Sequence, residues 1–163
     1  MARYDIEDAI GFIVEQLQTS LNDKINAINT DKGDSLLVTV PVDGFVYRKN
    51  GKTNKTYTSF VYYEAPEEVE FEEGQSIRQH YAKTYFFEMG IGFRNNDKYA
   101  NTSIDNFKRV IRYQKAMEEA LVSIGSVRGY SNLEINTIQS SSEEREEGLT
   151  HISAFTISLT IGG

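Results

Sequence analysis

Near the C-terminal end of the chain, four glutamates within residues 143–147 place several carboxylates close together. Neighbouring carboxylates can perform acid–base catalysis or bind Ca²⁺ or Mg²⁺. Catalytic carboxylates need environments that separate their pKa values, and a calcium loop needs Asp or Asn at alternating positions with a Gly turn. This stretch has neither Asp nor Asn. We therefore interpret it as an exposed polar loop without catalytic or metal-binding residues, formed by Glu143, Glu144, Glu146 and Glu147.

A second acidic segment, "EEVEFEE", holds five glutamates between Glu67 and Glu73. It follows neither a helical nor a strand period, so we predict an exposed loop. Val69 and Phe71 would be apolar anchors that dock this loop on a neighbouring molecule. Glu70 and Glu72 would supply its negative charge.

The two histidines, His80 and His151, are the side chains that could act as general bases near neutral pH. Neither stands in the spacing of a Ser-His-Asp triad or of a metalloprotease. Gly90 and Gly92 lack the third glycine and the helix start of a dinucleotide-binding loop. Two histidines and no cysteine do not make a zinc site. We predict no catalytic residue, no cofactor and no metal.

Four basic residues follow one another in the second half of the chain. Lys108, Arg112 and Lys115 recur at steps of four and three, which places them on one face of a helix, with Arg109 beside them. This pattern by itself is typical of a solvent-exposed face. Because the chain also carries two acidic segments, the basic face of one copy could pair with an acidic segment of the next. DNA passing through a ring is the alternative partner of these cations.

Length and charge limit the class of protein. The chain of 163 residues fits one domain, residues 1–163, with a sizeable core. Its net charge of −7 argues against a nucleic-acid binder held by bulk electrostatics. No apolar run approaches the roughly 20 residues that a membrane span needs. The N-terminal residues lack the pattern of a signal peptide, which indicates a cytoplasmic chain.

The first predicted helix runs from about Asp5 to Asn29. Its apolar residues recur at steps of three and four and form one stripe: Ile6, Ile10, Ile13, Leu17, Leu21, Ile25 and Ile28. Phe12 and Val14 fall off this stripe. We predict that both are partly exposed and form a second contact surface.

The middle of the chain is rich in Val, Tyr, Phe and Thr, which favours strands. Asn50–Gly51 is a turn signal, predicted to join Val42–Lys49 and Thr56–Glu64 in a β-hairpin with a basic tip. The following segment, "YAKTYFFEMGIGF", alternates as a strand packed on one side. Its two glycines, Gly90 and Gly92, mark a place where another group approaches closely.

Ser103 is predicted to cap a second helix that ends at Gly125. Its predicted apolar stripe comprises Ile104, Phe107, Val110, Ile111, Met117, Ala120, Leu121 and Ile124. Two alternating runs around the acidic loop then form a closing hairpin with a loop longer than the usual two to five residues. Its last strand is predicted to be well paired and to bury Phe155, Ile157, Leu159 and Ile161.

These elements predict an α+β fold. A single, mostly antiparallel sheet with two amphipathic helices on one face would bury the apolar stripes of all elements. A β-hairpin extension and long acidic loops complete the predicted architecture.

The order of elements resembles the tail terminator, or tail completion, proteins of long-tailed bacteriophages. The likeness covers a long opening helix, "YDIEDAIGFIVEQLQTSLNDKINAI", a core strand, "TYFFEMGIGF", and a second helix, "SIDNFKRVIRYQKAMEEALVSI". It ends with an acidic closing hairpin, "LEINTIQSSSEEREEGLTHISAFTISLTI". The likeness extends over nearly the whole chain but lies in architecture, without a signature motif. The basic hairpin tip around Asn50–Gly51 is an addition to the pattern.

The resemblance implies a virion protein without catalysis. Such proteins form a hexameric ring on the last ring of tail tube protein, stop tube growth and dock to head-tail connector or neck proteins. The expected place is the head-proximal end of the tail, after assembly in the host cytoplasm. Two alternatives stay open: another phage head-tail connector, neck or tail tube protein, and a small ligand-binding domain or enzyme with a pocket near Glu88 and His80.

Overall fold

The computed structural model of the chain describes residues 5–34, 36, 38, 41, 44–47, 58–71, 83–95, 104–127, 132–145 and 148–161. Their secondary structure, in chain order, is α1 (Ile6–Lys32), β1 (Phe45–Tyr47), β2 (Ser59–Tyr63), β3 (Glu68–Phe71), β4 (Lys83–Asn95), α2 (Ile104–Val127), β5 (Asn132–Arg145) and β6 (Gly148–Ile161). The basic segment around Asn50–Gly51, Ser103 and His80 lie outside the described residues.

Helix α1 is capped at both ends. The side chain of Asp5 accepts a hydrogen bond from the backbone N–H of Asp8, and the Asp8 carboxylate accepts one from the N–H of Asp5. This reciprocal pair satisfies two amide donors that the first turn leaves free. Gly33 ends the helix with φ 59°, a left-handed conformation that costs glycine little. The helix therefore extends three residues beyond the predicted end at Asn29.

The sheet order is β1-β2-β4-β6-β5, and β3 pairs with β4 beside this path. All described pairs are antiparallel except β1 with β2, which are parallel. The long strands β4 and β6 pair along nearly their whole length and form the centre of the sheet. The predicted well-paired last strand is confirmed, since β6 has a partner on each side.

The predicted pairing of Val42–Lys49 with Thr56–Glu64 in a β-hairpin was wrong, since β1 and β2 are parallel. In the parallel register of β1 and β2, Phe45 faces Val61 and Tyr47 faces Tyr63. A two-residue turn joins only antiparallel neighbours, because parallel strands need a connection that returns the chain to the same end of the sheet. Local turn chemistry therefore did not decide this pairing.

Two of the predicted loops are strands. The segment "EVEF" forms β3, which pairs with β4 from Glu68 opposite Phe86 to Phe71 opposite Lys83. Strand β5 continues through the acidic stretch to Arg145, and β6 begins at Gly148. The predicted long hairpin loop was therefore wrong, because ladder pairing with β6 extends a strand into a sequence with little apolar pattern.

The close approach predicted at the two glycines of β4 is confirmed. A Cβ added to Gly90 would lie 2.3 Å from the ring of Tyr62, and one added to Gly92 would lie 2.5 Å from the ring of Phe60. Both aromatic rings lie across these glycines on the sheet face that the helices do not cover. With Ile152 they form a small second apolar cluster.

Both helices pack on the other face, which confirms the predicted α+β class. The main core joins the buried stripe of α1 and that of α2 to the inward residues of β4 and β6. Phe155, Ile157 and Leu159 are fully buried there, as predicted, while Ile161 is only partly buried. The predicted helix end at Gly125 was wrong, since α2 continues to Val127 and Gly125 packs against Leu133.

We predict that β6 carries much of the stability of the fold. Ile157→Ala should lower the free energy of unfolding by about 2–5 kcal/mol, because it leaves a cavity at a fully buried site. The matched control is Thr156→Ala, an exposed position on the same strand, which should cost less than about 1 kcal/mol. Urea unfolding measures both values. Equal losses in the two variants would contradict this burial pattern.

Candidate functional site

An apolar ridge is exposed on the N-terminal half of α2. Ile104 is 63% exposed, Phe107 62% and Ile111 46%. Steps of three and four residues place them side by side on the helix surface. We call these three residues the α2 ridge. The sequence predicted all three to be buried, which was wrong.

The error has a physical cause, because α2 carries two apolar stripes on different faces. The stripe that packs inside the fold contains Asn106, Val110, Tyr113, Met117, Ala120 and Ile124, at steps of four and three. In the first half of this stripe, two of the positions are Asn106 and Tyr113. A pattern of Ile, Leu and Val alone does not reveal them. The exposed stripe contains the α2 ridge and Val122, which is 63% exposed. The predicted stripe had merged members of both.

Arg112 was predicted on the exposed basic face, and this was wrong. It is only 5% exposed. Its two terminal nitrogens meet the carboxylate oxygens of Asp34 at 3.1 Å and 2.5 Å, and it also donates to the backbone carbonyl of Leu36. A paired guanidinium satisfies its donors in this geometry, so Arg112 can be buried. The contact ties α2 to the chain that follows α1.

The hydrogen bonds from Arg112 hold the pKa of the Asp34 carboxyl below its usual range. The same contact raises the pKa of Arg112. Asp34 itself stays in contact with solvent, with 42% of its side chain exposed. The sequence did not indicate that Asp34 is the partner of Arg112. Its one signal is that Asp34 directly follows the helix-ending Gly33, from where it can pair with a neighbouring helix.

The remaining predicted cations lie at or near the surface. Lys108 and Lys115 are exposed beside the α2 ridge. Arg109 is partly buried, and its Nη1 donates a hydrogen bond of 2.9 Å to the side-chain oxygen of Asn106. The exposed basic surface of α2 is therefore centred on two lysines.

Strand β3 forms the second surface with uncovered apolar side chains. Val69 is 37% exposed and Phe71 54% exposed, and the alternating residues of the strand, Glu68 and Glu70, are exposed as well. The ammonium of Lys83 lies 5.6 Å from the centre of the Phe71 ring. We call residues 68–71 the β3 strip. Glu72, the other predicted acidic contact, lies outside the described residues.

The other acidic segment is only partly described. Glu143 is exposed near the end of β5, opposite Thr150. The backbone of Glu144 pairs with that of Leu149. Glu146 and Glu147 lie outside the described residues, as does the side chain of Glu144.

Phe12 and Val14, predicted as a second contact surface, are half-buried and pack against the main core. Val14 also lines an apolar groove of about 390 Å³ between the first turns of α1 and the ends of β1 and β2. Ile10, Tyr47 and Tyr63 lie in the same groove. Both side chains are therefore partly exposed, as predicted, and their use as a contact surface stays a prediction.

His151, one of the two candidate bases, is buried in the sheet beneath α2. Its ring stacks on Phe93 at 4.9 Å, and its Nδ1 lies 3.0 Å from the hydroxyl of Ser142. Burial lowers the pKa of His151, which favours the neutral ring. Its Nε2 is buried and has no hydrogen-bond partner within the described part of the chain. This environment fits packing of a neutral imidazole.

The uncovered sheet face holds a polar concavity. The hydroxyl of Tyr62 donates a hydrogen bond of 2.7 Å to Glu88 there. Gln139, Ser141 and Thr156 also line this space of about 510 Å³. It is the place where a small ligand would fit if the chain were a ligand-binding domain.

Within the described ranges, no cluster of three or more His, Asp or Glu side chains could hold a metal ion. Neither α1 nor α2 is long and apolar enough to cross a membrane. No protein-family model matches the chain, and no curated protein matches it.

We predict that the ion pair contributes to stability in a pH-dependent way. The folded pKa of Asp34 is lowered. Its contribution is therefore complete above the unfolded value of about 3.9 and is lost as the pH falls through the folded value. Asp34→Asn should be less stable than the wild type at pH 7, because it leaves the Arg112 charge buried without a counter-ion. Asp34→Asn should also lose less stability than the wild type as the pH is lowered further.

Urea unfolding between pH 7 and pH 2 tests this. Arg112→Met should be less harmful than Asp34→Asn at pH 7, since the carboxylate that it leaves behind is solvated. Asp31→Asn, an exposed acid on α1, is the matched control. If Asp34→Asn and Asp31→Asn have the same free energy of unfolding at each pH, the ion pair does not contribute to stability as described.

Proposed function

We propose that this chain is a structural protein of a long-tailed phage virion. It forms a homo-oligomeric ring, a hexamer, that caps the tail tube at its head-proximal end, stops its polymerisation and joins the tail to the head. The observation that carries the proposal is the order of elements, with a long opening helix, a core strand, a second helix and two paired 14-residue strands. This order agrees with the one in which the sequence resembles tail terminators.

The proposed mechanism is binding without catalysis. A ring of identical subunits needs two different surfaces on each protomer that fit one another. The α2 ridge and the β3 strip are two such surfaces, since they lie on different elements and both expose apolar side chains. Large exposed apolar side chains that cluster on one face are typical of interaction sites.

The proposed partners follow from the proposed position in the virion. One face of the ring meets the tail tube protein, and the other meets the head-tail connector or neck proteins. DNA passes through the lumen without sequence recognition. The ring is assembled in the host cytoplasm and stays in the virion.

Two other functions make different predictions. Another connector, neck or tube subunit would also assemble, but at a different place in the particle. A ligand-binding domain or enzyme would use the concavity at Tyr62 and Glu88 and would stay a small species. Mass measurement over a range of concentrations separates this class from the ring formers.

We predict one ring of this protein at the head-proximal end of the tail. Electron microscopy of assembled phage tails, with a tag on the chain labelled by gold, measures its position. The control is a tail tube protein with the same tag, which should be labelled along the whole tube. Label along the tube or at the distal end would exclude the terminator function.

A further inference from the structure

The α2 ridge is apolar at its centre and basic at its side. Lys108 follows Phe107 directly, and Lys115 lies one turn beyond Ile111 on the same face. Both lysines are exposed. On a chain with a net charge of −7, these two lysines place positive charge at the side of the ridge. Its occupant should therefore combine apolar side chains with carboxylates.

The β3 strip has this composition. Because side chains alternate along a strand, Val69 and Phe71 lie on one side and Glu68 and Glu70 on the other. All four are exposed, although β3 is paired with β4 along one edge. The strip thus presents an apolar pair and a carboxylate pair on a fixed backbone.

We infer that the α2 ridge binds the β3 strip of a second copy of this chain. Phe107 and Phe71 are the apolar anchors, and Lys108 and Lys115 pair with Glu68 and Glu70. This contact rests on the proposed ring and names the surfaces that close it. Like-charged copies repel in general, so the complementary charges also select this orientation over others.

The contact is heterologous, because a ridge on one copy meets a strip on the next. An open assembly then keeps one unoccupied ridge at one end and one unoccupied strip at the other. Such a contact generates a closed ring if the rotation between copies closes, and an open chain if it does not. Desolvated aromatic anchors supply most of the affinity in interfaces of this kind, while exposed ion pairs mainly set the register.

A charge exchange tests the pairing. One variant carries Lys108→Glu and Lys115→Glu, and the other carries Glu68→Lys and Glu70→Lys. Each alone should self-associate at least about tenfold more weakly than the wild type, since like charges then meet. An equimolar mixture should recover assembly, because every ridge in it can meet a strip of opposite charge.

Sedimentation analysis from micromolar to millimolar protein gives the dissociation constants, and circular dichroism checks that each variant is folded. Glu15→Lys, an exposed reversal on α1, is the matched charge control and should assemble like the wild type. A mixture that stays as weak as its components, or a wild type that stays monomeric up to millimolar concentration, would overturn the inference.

The apolar part has its own pair of variants. Phe107→Ser should weaken self-association at least about tenfold. Val122→Ser, at an equally exposed position of α2 roughly 16 Å beyond Ile111, should not. Equal effects would mean that the ridge does not bind a second copy.

These outcomes are distinguishable from those for the proposed function. If the charge exchange restores assembly but the label lies elsewhere on the tail, the contact stands and the terminator function fails. If the label lies at the head-proximal end and the exchange fails, the function stands and the surfaces named here are wrong.

Discussion

The rotation of α2 about its own axis decides which of its two apolar stripes is buried. In the C-terminal half, Met117, Ala120 and Ile124 fill the core against the sheet. In the N-terminal half, the ion pair of Arg112 with Asp34 and the stacking of Tyr113 on Phe93 hold the same rotation. As a result, this rotation leaves the three apolar side chains of the α2 ridge exposed to solvent. The described part of the chain thus leaves this apolar surface of α2 exposed, which is the basis for proposing it as an assembly surface.

The sheet sets the position of this surface in the molecule. β6 lies between β4 and β5, and both helices cover one face of these strands. Because α1 and α2 already pack against each other and against the sheet, the outer side of α2 has no further element of the described chain to cover it. The β3 strip belongs to the sheet on which α2 packs, so the fold holds the α2 ridge and the β3 strip at a fixed separation.

Elements with a strong period could be predicted from the sequence. The stripe of α1, the one-sided packing of β4 and the burial of Phe155 and Leu159 on β6 all followed from periodicity, because each has a single apolar face. The glycines of β4 also marked a close approach, and Tyr62 and Phe60 supply it.

The failures share one cause, which is that long-range pairing overrides local pattern. A polar stretch became the end of β5 because β6 offers it a complete ladder, and the parallel pairing of β1 with β2 does not follow from any turn signal. On α2, a buried arginine and tyrosine took places that simple hydrophobicity gives to Phe107 and Ile111. Arg112 could not be recognised as buried without its partner Asp34, which lies 78 residues away in the chain.

The central claim is that the α2 ridge is an assembly surface, and hydroxyl-radical footprinting of the wild type tests it most directly. The chain is oxidised once as a dilute monomer and once at a concentration where it assembles, and the modification of each side chain is compared by mass spectrometry. We expect that Phe107 and Phe71 become protected on assembly, while Val122 keeps its reactivity. Equal reactivity of Phe107 in the monomer and in the assembly would contradict it.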